Sequence, residues 1–410
     1  MNTQSATERE NRIRLLWAGF AFLYVASALL LKGIAPTPDE IMHYVQIDWF
    51  DHGNFRVADR YLTMIPGYHV VVAAALWLID QRSLPAARLF NALVGLMTIG
   101  AFNLVRRRLW PDDHVLPTLQ FALLPILVPY DFLVYTDVLS LGLVLAAGAA
   151  TVRGRHVLSG ALMIAAMGIR QTNVVVLPLF AGLAIAPVWE RKPPPLIEIA
   201  ERIWPYAIGV GAFLSYWLWN GHISLSAEQA TMHPDFSVHI GNVYFTLFLC
   251  ALFLPLQVIA GLREFTQSVR ARPWLVAFPL IAIALFALIF RVDHPFNTAT
   301  QPLFLHNYVI QVAASNVYCR ILFAVIATLA ACGLVSTSLR PAGAVLLYPV
   351  SVVALCAFWL VEHRYALIPI ALWLAFRESR ARKIEWATAA LWLFFAVCFC
   401  LGIYEGAFNL

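Results

Sequence analysis

Apolar runs of about 15–22 residues recur along the whole chain, beginning at Leu15, and that recurrence constrains the fold more than any other feature. A helix of that length crosses the hydrocarbon core of a bilayer, where only helices and closed barrels satisfy every backbone polar group. Of 410 residues, 61% are hydrophobic and 12% charged, with a mean hydropathy of +0.74. No soluble globular domain has that balance. The longest polar stretches, about 219–242 and 291–315, are loop-sized. The expectation is an all-α polytopic membrane protein with a single domain over residues 1–410.

The basic residues set the topology. The first run follows Arg9, Arg12 and Arg14, and Lys32-Gly33-Ile34-Ala35-Pro36 is a poor cleavage site, so an uncleaved span is expected. Further clusters lie at Arg106-Arg107-Arg108, Arg153/Arg155, Arg191-Lys192/Arg202, Arg263/Arg270/Arg272, Arg340 and Arg377/Arg380/Arg382-Lys383. Placing them all in the cytoplasm gives spans near 15–34, 86–105, 115–133, 136–152, 156–169, 173–189, 203–219, 243–262, 273–291, 316–337, 341–361, 365–378 and 385–404. That is about 13 transmembrane helices, N-terminus inside and C-terminus outside. Residues 66–80 open with Pro66-Gly67 and are short for a crossing; a re-entrant or interfacial helix within a large first outer loop, about 35–85, is expected there. The net charge of +5 is spent on these short clusters, so nucleic acid is not an expected partner. The six cysteines are scattered with no CxxC; they read as small buried hydrophobes, not metal ligands.

On this topology most of the acids and histidines collect on the outer face. Asp39, Glu40 and His43 lie in the first outer loop; on a helix, i,i+3 and i,i+4 pairs share a face. A carboxylate there suits a general base, with His43 orienting it. The same Pro38-Asp39-Glu40 run also reads as a helix start. Tyr130-Asp131 and Tyr135-Thr136-Asp137 flank an outer turn, where acids at membrane depth are unusual unless simply solvated. Arg170-Gln171-Thr172-Asn173 interrupts an apolar run with donors suited to phosphate or sugar, or forms a polar hinge. His294-Pro295 and Gln301…His306-Asn307-Tyr308 share one outer loop. Glu362-His363-Arg364-Tyr365 sits at an outer helix end, as a phosphate clamp or an interfacial anchor. Asn220-Gly221-His222, with Glu228, His233 and Asp235, is another polar outer loop. No Walker motif, GxGxxG, HExxH or GxSxG occurs, which leaves ATP hydrolysis, dinucleotide binding and zinc proteolysis without support.

Taken in order, these motifs resemble the dolichyl-phosphate-glucose-dependent alpha-1,2-glucosyltransferase family, glycosyltransferase family 59. The likeness runs through Pro38-Asp39-Glu40-Ile41-Met42-His43 to Gln46, then Thr63-Met64-Ile65-Pro66-Gly67-Tyr68 and Arg88-Leu89-Phe90-Asn91. It continues through Leu116-Pro117-Thr118-Leu119, Tyr135-Thr136-Asp137, Arg170-Gln171-Thr172-Asn173-Val174, Asn220-Gly221-His222, His294-Pro295-Phe296, His306-Asn307-Tyr308 and Glu362-His363-Arg364-Tyr365. The chain departs at Ala58-Asp59-Arg60-Tyr61, where the family carries Trp-Asp-Pro, and at His363, where the family shows proline.

The resemblance implies a GT-C-type glycosyltransferase, a bacterial relative by its Arg- and Ala-rich composition. Its place would be the bacterial inner membrane, or the endoplasmic reticulum membrane if eukaryotic, with the site on the periplasmic or lumenal side. It implies inverting transfer of a hexose, glucose in alpha-1,2 linkage, from a polyprenyl-phosphate-sugar donor to a lipid-linked or surface glycan acceptor. Asp39 would be the base, with Glu40 the second choice, His43 beside them and Asp137 orienting the acceptor. Arg364 and Arg170 would bind the donor phosphate, with Gln171, Asn173, His294, His306 and Glu362 around phosphate and sugar. No cofactor and no divalent metal is expected; the partners are donor, glycan acceptor and membrane lipid. A transporter or lipid-linked-sugar flippase, and a non-catalytic scaffold of a glycan assembly complex, are the competing readings.

Overall fold

The computed structural model describes residues 3–58, 62–189, 191, 193, 195–298 and 304–410. Expectations on Asp59, Arg60, Tyr61, Lys192 and Gln301, and on the side chains of Arg9, Arg12 and Arg14, lie outside the described residues. Among those described the chain is helical, with only two isolated β-bridges.

The first half comprises α1 (Thr3–Leu31), α2 (Pro38–Asp51), α3 (Gly67–Leu78), α4 (Leu84–Leu109), α5 (Val115–Ala122), α6 (Thr136–Thr151), α7 (His156–Ile169), α8 (Leu177–Trp189) and α9 (Leu196–Asn220). The second comprises α10 (Ala227–Met232), α11 (Gly241–Phe253), α12 (Pro255–Ala271), α13 (Ala277–Ile289), α14 (Pro295–Thr298), α15 (Leu305–Ser315), α16 (Val317–Val335), α17 (Leu347–Cys356), α18 (Leu367–Phe376) and α19 (Arg382–Tyr404). The chain is an integral membrane protein. Four continuous helical stretches are long and apolar enough to cross a bilayer: Leu84–Leu109, Gln171–Trp189, Val317–Val335 and Arg382–Tyr404. Further apolar helices are 10–17 residues long. The expected span over 243–262 is broken: α11 and α12 meet at 105° at Leu254-Pro255. Pro255 lacks the N–H that would continue the helix. At 12 residues α3 rises about 18 Å, too short to cross, as its Pro66-Gly67 start suggests.

α4 sets the scale of the molecule. Arg88 near its start and Arg106 near its end are separated by about 27 Å at 1.5 Å per residue, close to the thickness of the hydrocarbon core. Both are buried, and each gathers a polar network at its own end of the bundle. Close helix contacts hold the layers between them. At α12 and α16 a Cβ on Gly261 would lie 2.0 Å from the Gly333 carbonyl oxygen, so only glycine permits the approach.

Candidate active site

The site lies at the Arg88 end. The Pro38-Asp39-Glu40 start does form the first turn of α2, and it separates its two acids. Glu40 is fully buried. Its Oε1 accepts from Arg88 Nε at 2.8 Å and from the Val134 N–H at 2.9 Å; its Oε2 accepts from Arg88 Nη2 at 2.5 Å and from the Thr37 N–H at 3.3 Å. Arg88 also donates to the carbonyls of Leu31, Lys32, Ile34 and Ala35. The pair therefore ties the end of α1, the start of α2, α4 and the strand-like link before α6. Glu40 has no access to a substrate; its place is that of a strut.

Asp39, one residue earlier, points the other way and its side chain is 39% exposed. Its Oδ2 lies 3.0 Å from Arg364 Nη2. The same guanidinium donates to Glu362 from Nε at 3.0 Å and from Nη2 at 2.5 Å, and lies over the Tyr135 ring at 5.4 Å. Arg364 Nη1 has no hydrogen-bond partner among the described residues. The extended segment before Arg364 is fixed by asparagines. Asn242 donates to the carbonyls of Phe358 and Leu360 and accepts from the Glu362 N–H, and Asn297 brackets Val361 through its carbonyl and N–H.

A second charged pair stands beside the first. Arg170, ending α7, pairs with Asp137 in the first turn of α6 and lies over the Tyr365 ring at 5.9 Å. The other oxygen of Asp137, Oδ2, is buried without a partner among the described residues. Arg170, Asp137, Arg364 and Tyr365 line one small cavity of about 60 Å³, with Ser140 and Asn173. Leu347, Ser351 and Pro369 also line an adjoining apolar cleft of about 330 Å³ between α11, α13, α16, α17 and α18.

The electrostatics follow from this geometry. Desolvation raises the Asp39 carboxyl above the usual range; Arg364 pulls it down, and the Glu362 and Asp137 charges push it up. Burial works against charge on Glu362 as well, but the Arg364 fork holds it at about 2. Burial holds His306 at about 4 and His363 well below its ordinary value. Both rings are therefore neutral at physiological pH.

The other expected residues divide into two groups. His306 belongs to the site: its ring lies 5.4 Å from that of His363, which bonds Tyr130 at 2.7 Å, and its Nδ1 is buried and unpartnered among the described residues. His43 lies at the back of α2, its Nδ1 3.0 Å from His69 Nε2. Gln171 donates to the carbonyls of Thr63 and Ile223 and accepts from the Ile65 N–H, so it knots two outer loops. Asn173 donates to Ser140 Oγ and the Ala166 carbonyl, both at 2.8 Å. His294 donates from Nε2 to the Met232 carbonyl and accepts at Nδ1 from the Phe296 N–H, which leaves neither nitrogen for a ligand. Asp131 is buried away from this cluster, beside Tyr24 and Gly95. Asn242 and Asn297 are not singled out by the sequence, nor is the Tyr130–His363 bond between two motifs that are. Their signal was a polar side chain inside an otherwise apolar stretch. Among the described residues no group of three or more His, Cys, Asp or Glu is placed to hold a metal ion.

The chain is similar to known proteins. The profile of the DIE2/ALG10 family matches residues 34–195 and 184–375. The rat protein called Dol-P-Glc:Glc(2)Man(9)GlcNAc(2)-PP-Dol alpha-1,2-glucosyltransferase is 26% identical over 278 residues, 53% of this chain and 59% of that protein. The protein of the same name from Yarrowia lipolytica is 25% identical over 322 residues, 68% of this chain and 60% of its own length. The matched part thus spans about 60% of the length of these curated relatives. The crystal structure of apo ArnT from Cupriavidus metallidurans aligns with 93% of this chain and 78% of its own, at a TM-score of 0.37 and 17% identity.

Proposed function

Because this chain belongs to the DIE2/ALG10 family, we propose that it is a membrane-embedded inverting glucosyltransferase. In this reading it takes glucose from a polyprenyl-phosphate-glucose donor, the donor class named for its relatives. It passes the sugar, in alpha-1,2 linkage, to a lipid-linked or surface glycan on the non-cytoplasmic face. The 410 residues act as one domain, with the loop of about residues 35–85 carrying the base. The observation that carries the reading is the shape of the site: two guanidiniums line a cavity that shares a wall with an apolar cleft. A phosphodiester on a long isoprenoid chain has that combination of head and tail. A soluble sugar nucleotide has no use for the cleft.

The reaction is a single displacement. Asp39 accepts the proton of the acceptor hydroxyl as that oxygen bonds to the anomeric carbon. The bond from that carbon to the phosphate oxygen breaks on the opposite face, and polyprenyl phosphate departs with the electron pair. Arg364 and Arg170 meet the charge that develops on the phosphate, with Arg170 held by Asp137. Neutral His306 supplies a further ring nitrogen to phosphate or sugar. All groups in this scheme are side chains of the chain itself.

The test is transfer by detergent-purified protein from synthetic polyprenyl-phosphate-glucose to simple glycosides, with release of polyprenyl phosphate followed in parallel. Transfer by the wild type and its loss in Asp39→Asn support the assignment. Donor binding without any transfer supports the scaffold instead. No donor binding removes the proposal.

A further inference from the structure

The position of Arg364 carries a consequence for how the site is switched on. Its Nη2 is shared between Asp39 at 3.0 Å and Glu362 at 2.5 Å, while the same side chain lines the cavity beside Arg170. Asp39 is not part of that cavity's lining. One guanidinium therefore stands between the base and the space read here as the phosphate site. We propose that the donor phosphate and Asp39 compete for Arg364, so that seating the donor frees Asp39 to accept the acceptor's proton. This inference rests on the reading of that cavity as the phosphate site.

The charges point the same way. Asp39, Glu362 and Asp137 face Arg364 and Arg170, three carboxylates against two guanidiniums. A phosphodiester adds one more negative charge to a poorly solvated site, which is costly unless a carboxylate gives up its partner or its charge. Glu362 holds Arg364 through a two-point fork and Asp137 is committed to Arg170. Asp39 contributes a single contact from a partly exposed side chain, and is the partner that yields. Desolvation raises the Asp39 carboxyl and the Arg364 contact offsets part of that rise; once the phosphate takes over the guanidinium, the proton affinity of Asp39 rises further. The device makes the order of events chemical: donor first, then deprotonation of the acceptor. In the donor-free site Asp39 remains tied to Arg364.

The competition is read by equilibrium binding of a short-chain polyprenyl methyl phosphate to the full chain in detergent. This probe is a phosphodiester with one fixed charge and no sugar to transfer. Asp39→Asn is expected to bind it about 5-fold more tightly than the wild type, the low end of ordinary coupling between sites. Arg364→Ala is expected to bind it at least about 10-fold more weakly, and adding Asp39→Asn to Arg364→Ala should restore nothing. The wild type supplies a second readout that needs no variant. Its affinity for the probe rises as pH falls from neutrality into the range just above the ordinary carboxylate value, where Asp39 takes up its proton and releases Arg364. The charged groups that face Asp39 are Arg364 and Glu362 from the 362–364 turn and Asp137 at the start of α6, with Tyr135 and His43 nearby. Glu362 stays ionised across that range, and His306, His363 and His43 stay neutral. Asp39→Asn should flatten the pH response. Weak binding by Arg364→Ala together with unchanged or weaker binding by Asp39→Asn overturns the competition and leaves the phosphate site standing. Wild-type-like binding by Arg364→Ala overturns both.

Discussion

The two ends of the bundle carry buried arginines of opposite character. At the end marked by Arg106, Arg377 forks onto Glu385 at 2.7 and 2.6 Å, Gln120 bonds both residues, and the Arg380 N–H completes Glu385. Arg106 spends its donors on the carbonyls of Leu374, Ala375, Arg377 and Asp113, the Asp113 carboxylate and Ser379 Oγ. Those bonds close the end of α18; the Nε atoms of Arg377 and Arg380 are without partners among the described residues, but they are buried within that network. At the other end Arg364 keeps an open Nη1, Arg170 faces a cavity, and Asp137 and His306 hold buried atoms without partners among the described residues. Buried charge therefore does not by itself mark a site. Unspent hydrogen-bonding capacity facing an opening does.

The largest expected effect separates Asp39 from every other carboxylate. Asp39→Asn should lower turnover by about 10²–10⁴-fold, the usual worth of a positioned base, and leave thermal unfolding in detergent near that of the wild type. The pH profile should carry the same signature. Because desolvation raises the Asp39 carboxyl, it is ionised only above that raised value, so kcat/KM falls as pH drops through it. The limb should lie above the ordinary carboxylate range and cannot come from Glu362, held at about 2. Near-normal turnover in Asp39→Asn would move the base to Asp137 and erase the distinction between open and closed groups.

The closed networks should answer in stability instead. Glu40→Gln strands Arg88 and Arg377→Ala strands Glu385; breaking a buried pair costs about 3–5 kcal/mol. Both variants should give sharply less folded protein by size-exclusion fluorescence, and the molecules that do fold should keep their donor KM. A stable Glu40→Gln enzyme with lost turnover would contradict the strut.

That contrast also measures what the sequence could disclose. The apolar runs, the basic clusters and the polar outer loops were legible, because composition and periodicity carry them directly. Asp39 and Glu40 were not separable: they are adjacent acids at a helix start, and the difference between them is made by Arg88, 48 residues on, and Arg364, more than 300 residues on. Likewise His294 and His306 are equivalent on paper, yet the Met232 carbonyl and the Phe296 N–H consume the first while Nδ1 of the second has no partner among the described residues. The break in the expected 243–262 span was hidden for a related reason. Apolar content does not report a 105° bend at Leu254-Pro255.

A smaller effect bears on the Arg364 fork. Arg364→Lys keeps the charge but loses the planar, two-point geometry. It should raise the donor KM by about 10-fold through looser orientation of the phosphate, about 1.4 kcal/mol, and lower kcat less than Asp39→Asn does. A silent Arg364→Lys would mean that charge alone suffices and that the fork serves only to anchor Glu362.

The smallest effect concerns Gln171, expected from sequence to contact the donor and found to knot the loops at Thr63–Ile65 and Ile223. The Leu225 N–H reaches the Thr63 carbonyl at 3.1 Å across the same junction, so removing the amide leaves one direct tie. At about 1 kcal/mol per hydrogen bond, Gln171→Ala should loosen the junction locally without unfolding the bundle. Hydrogen exchange at Ile65 and Ile223 should then quicken several-fold, with global stability lowered by no more than about 2 kcal/mol. A ligand contact would instead leave exchange unchanged and raise the donor KM. Gln171→Glu sharpens the choice: it deletes the donating NH₂ and adds a charge that repels phosphate. Equal donor KM in the Ala and Glu variants places Gln171 with the struts, and a much larger rise in the Glu variant places it with the site.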